Sequence, residues 1–151
     1  MAVSEGATFT EDFIRFQIEK AEPQFTAVNI TAANPVISVS SRVYVTSLML
    51  EELKEQIEAF LAEPDLECYW ENDVPGIGGP PCVTMKFLPH NRQVLIEIYM
   101  ELNDGGSFME HNCRFYVATG RVQLAEFAEQ LPDFLTGAPG RSLTLNQKAT
   151  V

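Results

Sequence analysis

Two stretches of this chain follow the same plan. "RVYVTSLMLEELKEQIEAFL" (42–61) and "RFYVATGRVQLAEFAEQLPDFL" (114–135) each begin with alternating residues and pass into an apolar stripe at helical spacing. In the first, Val43 and Val45 alternate with Arg42 and Tyr44, and Leu50, Leu53, Ile57, Phe60 and Leu61 form the stripe. In the second, Phe115 and Val117 alternate with Arg114 and Tyr116. Its stripe is Val122 or Leu124, then Phe127, Leu131, Phe134 and Leu135. Period two marks a half-buried strand, and a period near 3.6 marks an amphipathic helix. Neither is stable alone, because each leaves an apolar surface that has to be covered by the other.

Further strands precede each unit. "FIRFQIEK" alternates Ile14, Phe16 and Ile18 against Arg15, Gln17 and Glu19. "FTAVNITAA" (25–33) predicts another strand, and Asn34-Pro35 predicts the turn into "VISVSSRVYV". After Pro64, "LECYWEND", "CVTMKFL", "QVLIEIYMELN" and Ser107 to Ala118 supply four more, with a turn at "PHNR" and a hairpin at Asn103-Asp104-Gly105-Gly106. Thr46 or Ser47 caps the first helix, with Glu51 and Glu52 suited to its first turns. Pro132 is expected to kink or shorten the second helix. The expectation is a single α+β domain spanning 1–151. Tandem β-β-(β)-α units, a pseudo-repeat at 13–63 and 67–135, build a mostly antiparallel sheet with two helices packed on one face. Residues 136–151 form a C-terminal tail with at most one short strand.

The charge is −11, and it is uneven. Residues 1–75 hold 14 acidic and 4 basic residues, and residues 76–151 hold 7 and 6. Much of the excess lies at Glu51, Glu52, Glu55, Glu58, Asp65, Glu67, Glu71 and Asp73. This layout excludes the basic footprint that nucleic acid requires, and it disfavours anionic membrane surfaces. It suits a basic protein partner. Cys68, Cys82 and Cys113 are an odd, sparse set without a CxxC pair, which predicts free thiols and a cytoplasmic home. The start "MAVSEGATFTED" has neither the basic nor the apolar region of a secretory signal.

The sheet face away from the helices is expected to carry Arg42, Tyr44, Tyr99, Arg114 and Tyr116, residue types that anchor protein interfaces. No catalytic or metal-binding constellation emerges. His111 and Cys113 alternate in phase with Met109, Phe115 and Val117, as core positions do. Cys82 has no base within reach along its strand: His90 stands at the strand's far end. Glu97 and Glu101 share a face with Glu110, where Arg42, Arg114 and Lys86 are expected to neutralise them. "GIGG" in the 74–81 loop lacks the following Lys-Ser/Thr and helix of a phosphate loop.

The order of strands, "VYVTSLMLEELKEQIEAFL", strands, the Asn-Asp-Gly-Gly hairpin and "CRFYVATGRVQLAEFAEQLPDFL" resembles small bacterial α+β proteins. Among these are immunity proteins of polymorphic, contact-dependent toxin systems. The resemblance spans roughly Phe13 to Leu135 and carries no catalytic residues. It implies a cytoplasmic, non-enzymatic protein without a cofactor that binds and blocks one toxin, the acidic segment meeting a basic target. The alternatives are a small-ligand binder or enzyme using the Tyr/Arg sheet face, and a structural homodimer formed through that face.

Overall fold

The computed structural model describes residues 11–72, 82–102 and 111–147. Its elements, in order, are β1 (Phe13–Ala21), β2 (Thr26–Ala33), β3 (Ser38–Val45), α1 (Ser47–Ala62), β4 (Cys68–Glu71), β5 (Cys82–His90), β6 (Gln93–Leu102), β7 (His111–Thr119), α2 (Arg121–Phe134) and β8 (Ser142–Asn146). The class is α+β, with every strand pairing antiparallel. The strands divide into two four-stranded sheets, ordered β3-β2-β1-β8 and β4-β5-β6-β7. The single outer face expected from the sequence therefore becomes two. The segment from 136 onward does more than trail: β8 lies beside β1, pairing Leu143 with Phe16 and Leu145 with Ile14.

Thr46 caps α1, its hydroxyl accepting from the Met49 amide at 3.3 Å. The first turn of α1 holds no acid, so Glu51 and Glu52 lie beyond the position where the helix dipole rewards them. Met49, Leu50, Leu53, Ile57 and Phe60 are buried, with Leu61 only partly so. In α2 the buried stripe is Leu124, Phe127, Ala128, Leu131 and Phe134. Val122, one of the two expected starts of that stripe, is 63% exposed. The helix passes through Pro132 and ends two residues later. Among the described residues, no helix is long and apolar enough to cross a membrane.

Each helix is pinned to a sheet by aromatic contacts. Phe16 of β1 meets Phe127 and Phe134 of α2 edge-on, at centroid distances of 5.5 and 6.3 Å. Phe60 of α1 lies 6.0 Å from Phe87 of β5. The Trp70 indole donates to the Met49 carbonyl at 2.9 Å, fixing β4 along α1. Neither helix has a basic residue in its last turn, and each C-terminus receives an arginine from elsewhere. Arg121 donates to the Leu61 carbonyl at 2.7 Å, and Arg141 donates to the Asp133 carbonyl at 2.7 Å. These guanidiniums satisfy carbonyls that the helices leave open and complement the negative dipole end.

Polar side chains join the sheets, Asp12 and Asn34 among them. Tyr116 and Ala118 of β7 turn their backbone polar groups away from β6, an unpaired edge that needs covering. The Asp12 carboxylate accepts from the Ala118 amide at 2.8 Å, and the Asn34 amide donates to the Tyr116 carbonyl at 2.8 Å. Asn34 also folds its own turn, its oxygen accepting from the amides of Val36 and Ile37. The Asn34-Pro35 signal thus marks both a turn and a contact between sheets.

Asp12 is 8% exposed, and burial pushes its carboxyl above the ordinary range while the Ala118 amide pulls it partly back. A raised folded value means that the folded state binds this proton more tightly than the unfolded chain does. The associated stability is full below the unfolded value and is lost as pH rises through the folded one. Asp12→Asn keeps an acceptor for Ala118 and removes the titration. Urea unfolding between about pH 4 and pH 7 is therefore expected to show wild type gaining on Asp12→Asn as pH falls. A gap that stays constant, or that moves against wild type on acidification, would disprove this assignment.

Candidate functional site

The acidic segment is placed in two locations. Glu51, Glu52, Glu55 and Glu58 lie exposed on the outer side of α1, where Lys54 pairs with Glu58 at 2.8 Å. Asp65 lies exposed in the loop after α1. Glu67 reaches the second sheet, where it pairs with Lys86 at 3.2 Å. Glu71 projects from β4 onto the open face of that sheet. Asp73 and the 74–81 loop lie outside the described residues, as do the Asn103–Gly106 hairpin, Met109 and Glu110.

The five residues expected on one polar face are also divided. Arg42 and Tyr44 belong to the first sheet. Arg42 pairs with Glu19 at 2.8 Å across an irregular register between Ile18 and Lys20, and Tyr44 packs edge-on against Phe25 at 4.9 Å. Arg42 is therefore not available to neutralise Glu97 and Glu101. Tyr99, Arg114 and Tyr116 belong to the second sheet, in rows set by strand register. Tyr99 stands opposite both Thr84 and Arg114, and Glu97 opposite both Lys86 and Tyr116. The Arg114 guanidinium lies 5.5 Å from the Tyr99 ring centroid, and the Tyr116 hydroxyl donates to Glu97 at 3.2 Å.

This open face encloses a shallow cavity of about 270 Å³. Tyr69 and Glu71 come from β4, Cys82, Thr84 and Lys86 from β5, Glu97, Tyr99 and Glu101 from β6, and Arg114 from β7. Period-two alternation puts them there: Val83, Met85 and Phe87 face the core, so Cys82, Thr84 and Lys86 face outward. Sequence reasoning passes over Cys82, Thr84 and Tyr69 as site residues. The phase of β5 is the available signal for the first two, and the shortness of β4 obscures the third.

At one end of the cavity the Cys82 thiol stands between two carboxylates. Its sulfur lies 3.4 Å from Glu101 Oε1 and 3.6 Å from Glu71 Oε2. The Tyr69 hydroxyl also donates to Glu71, at 3.3 Å. Burial, the Glu101 hydrogen bond and the two negative charges push the thiol to about 12. A nucleophilic cysteine needs the opposite environment, one that favours thiolate. Cys82 is a donor at neutral pH.

The other thiols do not join it. Cys68 is buried on the core side of β4, facing away from Cys82, and Cys113 is half-buried opposite Met100. His111 is exposed at the start of β7 rather than buried, because alternation loses its meaning where a strand leaves the covered part of a sheet. Among the described residues, no group of three or more His, Cys, Asp or Glu is arranged to hold a metal ion.

Helix α1 reaches the outer edge of β4, the strand that also carries Tyr69 and Glu71. The Tyr69 amide, on the outer edge of β4, donates to the Gln56 side chain of α1 at 3.1 Å. Gln56 stands beside Glu55 in sequence and one turn from Glu52. Comparison with protein-family models, curated proteins and solved structures finds no match for this chain.

Proposed function

We propose that this chain is a non-enzymatic binding protein for a basic protein partner, of the immunity-protein kind, acting in the cytoplasm. The observation that carries it is the Gln56–Tyr69 hydrogen bond at 3.1 Å, which ties one flank of α1 to the edge of the sheet whose other face no described element covers. A partner can touch both without crossing buried core. Tyr69 and Tyr116 are 48% and 44% exposed on that face, the type of side chain that supplies contact area at low entropic cost. The surplus carboxylates steer a positively charged partner toward it. The cavity favours a second reading, a small polar ligand held on the same face.

The test uses the immobilised full chain, a native lysate of its source, and two salt concentrations. A basic protein is expected to be retained at low salt and released as salt rises. The Glu51→Lys/Glu55→Lys/Glu58→Lys variant, with an unchanged circular-dichroism spectrum and melting temperature, is expected to bind that protein roughly tenfold more slowly. Equal association rates for both forms would remove α1 from the interface. Retention of nothing but the chain itself would replace the proposal with self-association.

A further inference from the structure

We infer that the open face of the second sheet seats an arginine side chain of the partner protein, its guanidinium held between Glu71 and Glu101 and against the ring of Tyr69. The inference rests on the binding-protein reading above and names the anchor. Four features of this face support it.

The first is acceptor surplus. The Cys82 thiol reaches both Glu71 and Glu101, and the Tyr69 hydroxyl reaches Glu71. A thiol is a weak donor with one proton, and each carboxylate offers about four acceptor sites. The thiol's proton cannot serve both glutamates at once. The second is charge. The ion pairs among the described residues include none of Glu71, Glu97 and Glu101. Of the two cations lining the cavity, Lys86 is drawn to Glu67, and Arg114 lies over Tyr99.

The third is shape. Glu71 and Glu101 approach the same sulfur from the two strands that flank β5, with open cavity above them. A guanidinium is a planar fork with five donors, so it can bond both carboxylates together. An ammonium is a compact, strongly hydrated point charge and fits this spacing less well. The fourth is the aromatic rim. The Arg114–Tyr99 contact shows a guanidinium already resting on a tyrosine of this face, and Tyr69 offers a second, half-exposed ring on the side away from Arg114. Arginine and tyrosine are also the residue types that dominate interface anchors.

The test titrates the ¹⁵N-labelled full chain with N-acetyl-arginine N-methylamide, which carries the side chain and no terminal charge. Saturable shifts are expected at the amides of Tyr69, Glu71, Cys82, Thr84 and Glu101. The citrulline counterpart, equal in shape but uncharged, is expected to bind at least about tenfold more weakly, as is the arginine probe to Glu71→Gln/Glu101→Gln. The single variants Glu71→Gln and Glu101→Gln serve if the double variant loses its dispersed spectrum. Glu126→Gln, at an exposed position on α2, is expected to leave probe binding unchanged. Equal binding of the citrulline compound, shifts centred on α1, or shifts that do not saturate would each overturn the inference. The probe contains no partner, so such a failure leaves capture through α1 standing. Intact probe binding alongside unaltered capture by the α1 variant would instead strike the acidic-helix part of the wider reading.

Discussion

Ending the chain at Gly140 is expected to abolish the stable fold, although it removes only one five-residue strand and a few flanking residues. β8 covers β1, whose Ile14, Phe16 and Ile18 are buried. Its own Leu143 and Leu145 are buried as well, and burial of a leucine contributes about 1.5–3 kcal/mol. The cut also removes Arg141, whose carbonyl accepts from the Ile18 amide at 2.9 Å and whose guanidinium caps α2. It takes the Asn146 carbonyl from the Thr119 hydroxyl, which is fully buried and donates to it at 2.8 Å. A buried polar group left without its partner costs about 1–3 kcal/mol. Against a total stability of about 5–15 kcal/mol, these losses leave little or no margin. The expected readout is loss of the cooperative urea transition and of a dispersed amide spectrum. A truncated chain that unfolds cooperatively at a midpoint close to wild type would show that β8 is an accessory strand.

That strand illustrates where sequence reasoning stops. Alternation in "SLTLN" is too short to distinguish a sheet position from a tail, because five residues carry only two apolar ones. The longer strands and both helices are legible, because Ile14-Phe16-Ile18 and Leu50-Leu53-Ile57-Phe60 repeat their periods often enough to be unambiguous. What periodicity does not encode is which strands share a sheet. Two sheets and one sheet need the same alternation. The difference lies in edges, and here the edge of β7 is closed by Asp12 and Asn34, residues more than 80 positions away in the chain.

The candidate site divides along the same line. The carboxylates and tyrosines are visible as residue types, but their grouping depends on the register. Proximity in sequence assigns Glu71 to the acidic segment, yet β4 presents it beside Cys82, Thr84 and Tyr99 instead of beside Glu55. Outward alternation groups Arg42 and Tyr44 with Tyr99 and Arg114, and separate sheets part them. An alternating pattern specifies in or out. It does not specify which outward surface a residue joins.

Phe16→Ala is expected to cost about 3–5 kcal/mol, near the upper end for a single core truncation. Phe16 is fully buried in the middle of β1, flanked by β2 on one side and β8 on the other. Its ring is the one that meets two aromatic residues of α2, Phe127 and Phe134. Alanine deletes both edge contacts and leaves a cavity bounded by a sheet and a helix that are held elsewhere, by Arg141 and Arg121, so collapse into it is restricted. Phe16→Leu keeps much of the volume and should cost clearly less. In urea, both variants should shift the midpoint while leaving the slope unchanged, as expected when native packing alone is altered. A loss under about 1 kcal/mol for alanine, smaller than such truncations give, would mean that α2 does not depend on this contact. The arginine probe separates this structural role from binding. Its affinity for the folded fraction of Phe16→Ala should match wild type, because Glu71, Cys82 and Glu101 are held by the second sheet. If the probe weakens in proportion to stability, the two sheets respond as one unit and the site is sensitive to packing in the first.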